Sequence, residues 1–232
     1  MKDFLCRTIA LYGEDKVRKL KDMHVAVFGL GGVGSYAVEA LIRSGIQKIT
    51  LVDCDEYSVS NLNRQLYATT KTIGKKKTAT VLERALEVNP EITVFTHDIF
   101  IDKNTVNTID FSEFSYVLDA IDFVEGKMAI IKKCNELGVK VISSMGTGNK
   151  TCPTAFKVED IYKTKTCPLA KAIRKLCREQ GVESLKVLYS EEEPKTSSLN
   201  ESGKKVPASN SFVPAIAGLI LAGTIINELI GK

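Results

Sequence analysis

A glycine-rich turn between a buried strand and a helix constrains this chain more than any other sequence feature. The turn is GLGGVG, residues 29–34; it ends the apolar run that starts at His24 and opens a helical pattern over 32–44. Gly31 and Gly32 let the backbone approach a phosphate or ribose closely, and Gly34 lets the helix pack on the strand. The helix N-terminus presents unpaired N–H groups and partial positive charge. The turn therefore predicts a nucleotide site, although tight helix–strand packing without a ligand would need the same glycines.

Strand and helix signals alternate through the first 150 residues and indicate the fold class. Predicted strands lie at 24–29, 48–53, 92–96, 116–120 and 139–143, and predicted helices at 32–44, 74–88 and 125–137. This alternation predicts an α/β fold, a Rossmann-like and mostly parallel sheet with helices on both faces. Asp53 stands at the end of the second strand, where an acid binds ribose hydroxyls in nucleotide-binding folds.

The composition changes after about residue 146. Short strands are predicted at 155–158 and 185–190, a helix at 168–178, a mobile loop at 191–207 and an apolar helix from 212. Because α/β chains of this length often form one domain, we expect a single domain over 1–232. Its nucleotide-binding core would span 1–146. A substrate-side elaboration with the C-terminal helix would span 147–232, and Ser209 and Asn210 could line the pocket.

Composition limits the class of protein and its compartment. Apolar residues make up 44% and charged residues 26% of the chain, which excludes wholesale disorder. The net charge of +4 permits a nucleic-acid partner without requiring one. The N-terminus has no apolar signal region, and the apolar stretch 212–226 is shorter than the roughly 20 residues of a spanning helix. We therefore expect a cytoplasmic protein whose last helix is a core or dimer helix.

The cysteines predict reduced thiols rather than a metal site. The chain has six Cys and two His, and no C-x-x-C pair, so a structural zinc site is not expected. Cys54 lies between two acids, which raise a thiol pKa, and Cys134 and Cys177 fall in core positions of helices. Cys152 and Cys167 each precede a proline, and a sulfur-relay role for either stays open.

A polar loop after Asp53 favours a triphosphate over a dinucleotide. The glycine turn and Asp53 alone would point to an NAD-dependent dehydrogenase. Arg64 and Lys77 then add a cation pair, which suits a triphosphate better. Asp122 follows the fourth strand, where a lone carboxylate could hold Mg²⁺ against phosphate oxygens. Two plainer interpretations remain: a solvated face at 75–77, and Asp122 as a helix N-cap.

Together these motifs resemble the adenylyltransferases of the ubiquitin-activating-enzyme superfamily, in the branch of ThiF, MoeB and HesA that includes the activators of thiamine and molybdopterin synthesis. The resemblance covers residues 20–145 and comprises GLGGVG (29–34), the acids Asp53 and Asp55, SNLNRQ (60–65), G-x-x-K (74–77) and LDAID (118–122).

The resemblance implies ATP and Mg²⁺ as cofactors. Asp53 would bind the ribose, while Asn61, Arg64 and Lys77 would contact the triphosphate. Asp122 would hold Mg²⁺, and catalysis would rest on Arg64, Lys77 and Asp122. The full implied nucleotide set is Gly29, Gly31, Gly32, Gly34, Asp53, Asp55, Asn61, Arg64, Gln65, Lys77, Asp122 and Arg7. The family also implies a homodimer in which Arg7 reaches into the partner's site.

The second half is similar to the family of tRNA threonylcarbamoyladenosine dehydratases. The similarity lies in CPLAK (167–171), VLYSEEEP (187–194) and PASNSFVPAIAGLILA (207–222). It implies ATP-dependent, ligase-type cyclisation of the threonylcarbamoyl group in tRNA. A basic stripe supports an RNA partner independently, although a solvated helix face would look the same; its residues are Lys171, Arg174, Lys175 and Arg178.

Three other functions stay open. The chain could activate the C-terminus of a ubiquitin-like sulfur carrier, with a sulfur-transfer protein as partner, but the zinc-binding C-x-x-C pairs of many such enzymes are absent. It could be a nucleotide-binding regulatory module without turnover, or the NAD-dependent dehydrogenase considered above. No DNA partner is expected, and membrane association is not favoured.

Overall fold

The computed structural model describes residues 4–197, 200–201 and 204–231; for residues 200–201 and 204–205 it describes the backbone only. Its helices are α1 (Cys6–Tyr12), α2 (Glu14–Lys21), α3 (Gly34–Arg43), α4 (Lys77–Val88), α5 (Val124–Leu137), α6 (Pro168–Glu179) and α7 (Val213–Leu229). Its strands are β1 (His24–Phe28), β2 (Lys48–Val52), β3 (Thr93–His97), β4 (Tyr116–Asp119), β5 (Val141–Ser144), β6 (Phe156–Asp160), β7 (Lys186–Ser190), β8 (Asn200–Glu201) and β9 (Lys204–Lys205).

The main sheet has seven strands in the order β3-β2-β1-β4-β5-β7-β6. All neighbours pair in parallel except β6, which runs antiparallel to β7. Alternate residues of a strand point to opposite faces, and here both faces are covered. Val25 and Val27 of β1 pack in a core with α3, α4 and α7, whereas Ala26 and Phe28 face the layer that contains α5. The predicted α/β fold class is confirmed.

The predicted elements are present, with differences at their edges. Helix α4 begins at Lys77 instead of 74, because Gly74 has φ +79° and Lys76 is extended. Helices α1 and α2 were not predicted. Part of the predicted loop 191–207 forms a two-stranded ribbon of β8 and β9, and residues 198–199 and 202–203 lie outside the described residues. The division of the chain into a core and an elaboration stays a prediction.

Helix α7 packs closely on α3. A Cβ added to Gly218 would lie 2.2 Å from the carbonyl oxygen of Val33, so only glycine allows this approach. Leu221 and Ile225 of the same helix are fully buried in the main core. Within the described part of the chain, none of the helices combines the length and the apolar character needed to span a bilayer.

Candidate nucleotide-binding active site

A cleft of about 840 Å³ opens at the carboxyl ends of the strands. It lies where β1 and β4 are neighbours, the point at which the strand order reverses and where ligands of open α/β sheets bind. The glycine turn, the segment after β2, the segment after β4 and the loop after β5 all line it. Its volume falls within the usual range for small-molecule sites, roughly 300–1,000 Å³.

The glycines of the turn serve two purposes, close packing of the backbone and open space for a ligand. A Cβ at Gly29 (φ +88°) would lie 2.8 Å from the Ala120 backbone, and one at Gly34 would lie 1.8 Å from the Gly29 oxygen. Those two glycines therefore serve close packing, and Gly34 is not part of the cleft wall. Around Gly31 the space is open, since a Cβ there would meet nothing closer than Gln65 Nε2 at 3.8 Å. The turn leaves room for a ligand over its middle.

Asp53 lines the cleft and also holds the glycine turn in place. Its Oδ2 accepts a hydrogen bond from the Leu30 N–H at 2.6 Å, and its Oδ1 accepts one from the Asp55 N–H at 2.9 Å. Burial raises the pKa of Asp53, and the nearby charge of Lys77 only partly opposes this. A carboxylate oxygen has capacity for a further donor, so a ribose hydroxyl could share the group with the turn.

Lys77 is paired within the protein. Its ammonium lies 2.8 Å from Asp55 Oδ2 and 3.6 Å from Asp53 Oδ1, and its side chain is 6% exposed. Partial burial raises the pKa of Asp55, but the hydrogen bond and charge of Lys77 outweigh it and the net pKa is lowered. The alternative of a solvated face is therefore wrong for Lys77. A phosphate contact would require the ammonium to share or exchange its carboxylates.

Cys54 stands between the two acids, which disfavour its thiolate. Burial, followed by the charge of Asp55, raises the pKa of its thiol. The ligand atoms of Asp53, Cys54 and Asp55 lie within 4.8 Å of one another, but the Lys77 ammonium lies within 4 Å of both carboxylates and offsets one of their two negative charges. The ammonium thus already occupies a position that a cation would take at this cluster.

Arg64 presents an unpaired positive charge at the cleft. Its guanidinium donates to the Ser60 carbonyl at 2.8 Å and to Asn63 Oδ1 at 3.0 Å, and no carboxylate of the described residues lies within salt-bridge distance. Neighbouring Gln65 is 7% exposed, and its Oε1 accepts no hydrogen bond from the described residues. An open turn, an unpaired guanidinium and an unsatisfied amide oxygen together fit a nucleotide.

Asn61 also lines the cleft, and part of its side chain has a local role. Its Oδ1 accepts a hydrogen bond from the Ser58 N–H at 3.0 Å and closes the short turn that carries Arg64. Asn61 therefore stabilises the turn just before Arg64, and a contact of its amide with a phosphate stays a prediction.

Asp122 is an exposed carboxylate in the wall of the cleft, directly after β4. The N-cap residue of α5 is Phe123, and no side chain caps that helix, so the interpretation of Asp122 as an N-cap is wrong. Mg²⁺ in nucleotide sites is commonly held by one or two carboxylates together with phosphate oxygens. Asp122 fits that role.

Comparison with known proteins now decides the family. The profile of the ThiF family matches residues 5–232. The chain belongs to the ThiF family. It is 38% identical over 231 residues to the tRNA threonylcarbamoyladenosine dehydratase of Bacillus subtilis, covering 94% of this chain and 91% of that protein. It is 42% identical over 168 residues to the dehydratase of Haemophilus influenzae, of which it spans 64%.

Solved structures of a ThiF-type fold agree closely. The tRNA N6-threonylcarbamoyladenosine dehydratase TcdA of Escherichia coli, in complex with AMP, superposes with a TM-score of 0.90 at 33% identity, over 97% of this chain and 93% of TcdA. The same protein in complex with ATP superposes with a TM-score of 0.87 at 32% identity, with the same coverage. The fold of this ThiF family chain is thus one on which ATP and AMP have been observed.

Arg7 lies outside the cleft of its own chain. It is exposed on α1, and it is not among the residues that line the cleft. In this ThiF family protein the contribution of Arg7 to a site stays a prediction that depends on a second subunit.

The basic stripe of α6 is only partly available to a ligand. Nη1 of Arg174 donates to the Thr164 carbonyl at 2.9 Å and to Thr164 Oγ1 at 2.6 Å, so part of this guanidinium is engaged within the protein, and its contact with a nucleic acid stays a prediction. Lys175 lies 3.7 Å from a Glu179 carboxylate oxygen, and Arg178 lies over the Tyr162 ring at 5.5 Å. Lys171 is exposed with no ion-pair partner among the described residues.

Three features of the site escape sequence reasoning. Asp119 and Lys127 form a fully buried ion pair at 2.9 Å beneath the segment that carries Asp122. Lys150 is buried in the loop after β5 and lines the cleft. The Glu192 carboxylate accepts a hydrogen bond from the Cys152 N–H, two residues after Lys150, at 2.8 Å. For Lys150, the available sequence signal is its position directly after the turn at 146–149. That position by itself predicts only a charge on the surface.

The cysteines and the two polar residues predicted to have roles in the second half differ in whether they line the cleft. Cys134 and Cys177 are fully buried, which confirms their core assignment. Cys167 is buried at the cleft and Cys152 is exposed, and a sulfur-relay role stays untested. Ser209 lines the cleft as expected, but Asn210 does not: its Oδ1 accepts the Val213 N–H at 2.8 Å at the start of α7.

Proposed function

We propose that this chain is an ATP-dependent tRNA threonylcarbamoyladenosine dehydratase that works through an acyl adenylate. The supporting observation is the cleft at the strand-order switch, where the unpaired Arg64 and the exposed Asp122 flank an open glycine turn. The relatives that match most of the chain bear the same functional name.

The reaction requires activation of a carboxylate. A carboxylate oxygen of the substrate forms a bond to the α-phosphorus of ATP, and the bond from that phosphorus to pyrophosphate breaks. The ureido oxygen of the same substrate then attacks the acyl carbon. AMP leaves with the bonding electron pair and the adjacent nitrogen loses its proton, which closes a five-membered ring with net loss of water.

This chemistry asks the protein for charge and position rather than for a nucleophile. The substrate carboxylate is already an anion, so the first step needs no general base. It needs neutralisation of the phosphate charge and alignment of the reacting atoms. Arg64 and the N-terminus of α3 supply positive potential at the cleft. No enzyme cysteine is required, consistent with the raised thiol pKa of Cys54.

Asp122 would hold Mg²⁺, which when bound neutralises charge on the phosphate oxygens. Lys77 would turn from Asp55 toward a phosphate, since both groups line the same cleft. Asp53 would accept a hydrogen bond from the ribose while keeping its bond to the Leu30 N–H.

The proposal extends to assembly and surroundings. The protein would act as a homodimer in the cytoplasm, with Arg7 entering the partner's cleft. The exposed part of the α6 stripe would contact tRNA. A sulfur-transfer protein is a further candidate partner. No surface of the described residues supports that partner specifically.

Mass spectrometry of nucleosides from tRNA tests the function. We expect tRNA that contains threonylcarbamoyladenosine to lose the mass of water after incubation with the protein, Mg²⁺ and ATP, and not when ATP is omitted. Arg64→Ala should lower the rate by about 100-fold or more, the scale for removing one charge-stabilising donor. Arg18→Ala, which removes an exposed ion pair outside the cleft, is the matched control and should leave the rate unchanged.

An unchanged nucleoside mass with intact ATP binding would overturn the tRNA assignment. The search would then move to protein carboxyl termini, as in activation of a sulfur carrier. ATP turnover that is insensitive to Arg64→Ala would instead contradict the assignment of the site.

A further inference from the structure

Lys150 is a buried cation in the cleft that the proposed nucleotide contacts do not use. It follows β5, lines the cleft and is 3% exposed. Its ammonium donates to the Glu192 carbonyl oxygen. An ammonium has three donors, so two remain after this contact.

No carboxylate among the described residues forms a direct ion pair with Lys150, since none lies within salt-bridge distance of its ammonium. The carboxylate of Glu192 is engaged elsewhere: it accepts the Thr151 N–H at 2.9 Å and the Cys152 N–H at 2.8 Å. These backbone donors are the main reason that the pKa of Glu192 is lowered, and the charge of Lys150 adds only a smaller effect. A buried charge without a counter-ion is costly unless a ligand supplies one.

The loop that carries Lys150 is held on two sides, which makes it a built element. Asn149, at φ +59°, accepts the Lys195 N–H with its carbonyl at 2.8 Å and the Ala208 N–H with its Oδ1 at 2.7 Å. The Asn210 amide donates to the Lys150 carbonyl at 3.0 Å. Both flanking segments therefore hold the backbone of Lys150.

Lys150 and Arg64 reach the cleft from segments that follow strands on opposite sides of the central pair β1 and β4. Arg64 belongs to the segment after β2, whereas Lys150 follows β5, and β1 and β4 lie between those two strands. Strands are spaced about 4.8 Å apart, so the two segments start on the order of 14 Å from each other. A triphosphate bound at Arg64 would leave Lys150, on the β5 side of the cleft, for a second anion.

We propose that Lys150 binds the carboxylate of the substrate acid and presents it for adenylation. This inference rests on the proposed function, in which the second anion in the cleft is the acid of the threonylcarbamoyl group. Lys150 would then determine acid specificity, while Arg64 and the glycine turn would serve ATP.

Steady-state kinetics of Lys150→Met gives the first test. We expect the KM for threonylcarbamoyladenosine-containing tRNA to rise about 10- to 100-fold, the effect of losing a charged hydrogen bond. The Kd for a non-hydrolysable ATP analogue should change less than about twofold, since the proposed function places the phosphates at Arg64. Lys150→Arg should restore part of the affinity. Lys132→Met, at an exposed ion pair on α5, is the matched control and should behave as wild type.

A ligand-charge comparison separates carboxylate binding from a general effect on the fold. The wild type should bind the nucleoside threonylcarbamoyladenosine more tightly than its uncharged carboxamide, and Lys150→Met should bind the two equally. Thermal unfolding of each variant monitors the fold. Equal losses for acid and amide, or a loss confined to the ATP analogue or to pyrophosphate, would overturn the assignment of a carboxylate to Lys150.

A direct probe keeps this inference distinct from the tRNA assignment. In protein labelled with ¹³C-lysine, the Lys150 resonance is identified by its absence in Lys150→Arg. N-carbamoyl-threonine, added with the ATP analogue, should shift that resonance, and its amide should not. If the wild type fails to modify tRNA but the acid still shifts Lys150, the tRNA function is wrong and the carboxylate site stands. If tRNA is modified, but the acid does not shift the Lys150 resonance and Lys150→Met leaves the kinetics unchanged, the tRNA function stands and the carboxylate site at Lys150 is wrong.

Discussion

At the scale of single residues, the absence of a Cβ at Gly34 has a measurable consequence. A methyl group there would lie 1.8 Å from the Gly29 carbonyl oxygen, which belongs to the backbone of the turn and cannot rotate away. We expect Gly34→Ala to lower the free energy of unfolding by about 3 kcal/mol or more. Gly223→Ala, in a helix position with nothing within 4 Å, should raise it by up to about 1 kcal/mol. Urea denaturation of both variants measures this, and equal effects would contradict the packing.

His24 predicts how stability depends on pH. Burial, and then the charge of Lys48, lower the pKa of His24 from its ordinary value of 6.5 to about 4. Between about pH 6.5 and 4 the unfolded chain therefore binds a proton that the native state excludes. The free energy of unfolding must fall as the pH falls through this window, and the contribution is fully present only above it.

The variant His24→Gln isolates this effect. It should lose the His24 part of the slope, so that the wild type loses about 1–2 kcal/mol more than the variant between pH 7 and pH 4.5. Urea midpoints across that range give the comparison. Parallel curves for the two proteins would show that His24 titrates normally in the native state.

At the scale of elements, helix α6 carries an exposed lysine, which we expect to contact tRNA, and an arginine that is bonded within the protein. Lys171 is exposed, whereas the Arg174 guanidinium is bonded to Thr164. We expect Lys171→Ala to weaken tRNA binding several-fold and to reduce the slope of log affinity against log salt by about one. Arg174→Met should instead cost about 1–3 kcal/mol of stability. Filter binding at several salt concentrations and urea denaturation distinguish the two, and a change of salt slope only for Arg174 would reverse the assignment.

At the scale of the whole molecule, the position of Arg7 outside its own cleft allows a test by complementation. If Arg7 serves the partner's site, Arg7→Ala and Arg64→Ala homodimers are both inactive. A mixed dimer then regains one intact site, formed by Arg64 of one subunit and Arg7 of the other. Unfolding and refolding an equal mixture should restore about a quarter of wild-type activity, by the statistics of random pairing in a two-fold dimer. No recovery would place Arg7 in its own subunit's site, or outside the site altogether.

Much of the site could be predicted because it depends on local pattern. Strand–turn–helix order places GLGGVG and Asp53 at the carboxyl ends of neighbouring strands, whatever the loops do. The same order places Asp122 across from them, after β4. Lys150 could not be found this way, because a lysine after a glycine turn is ordinarily on the surface. Its burial depends on Glu192 and Asn210, which lie far away in the chain.

The sequence by itself determined the mostly parallel sheet and the position of the expected nucleotide-binding residues at the ends of its strands. These follow from periodicity and chain connectivity, which are properties of contiguous residues. Only the tertiary structure decided which of the expected positive charges are available to a ligand. Lys77 is neutralised by Asp55, Arg174 is bonded to Thr164, and Arg64 and Lys150 remain without a carboxylate among the described residues. Pairing is a matter of distances of a few ångströms between segments that folding alone brings together, so no local pattern could reveal it.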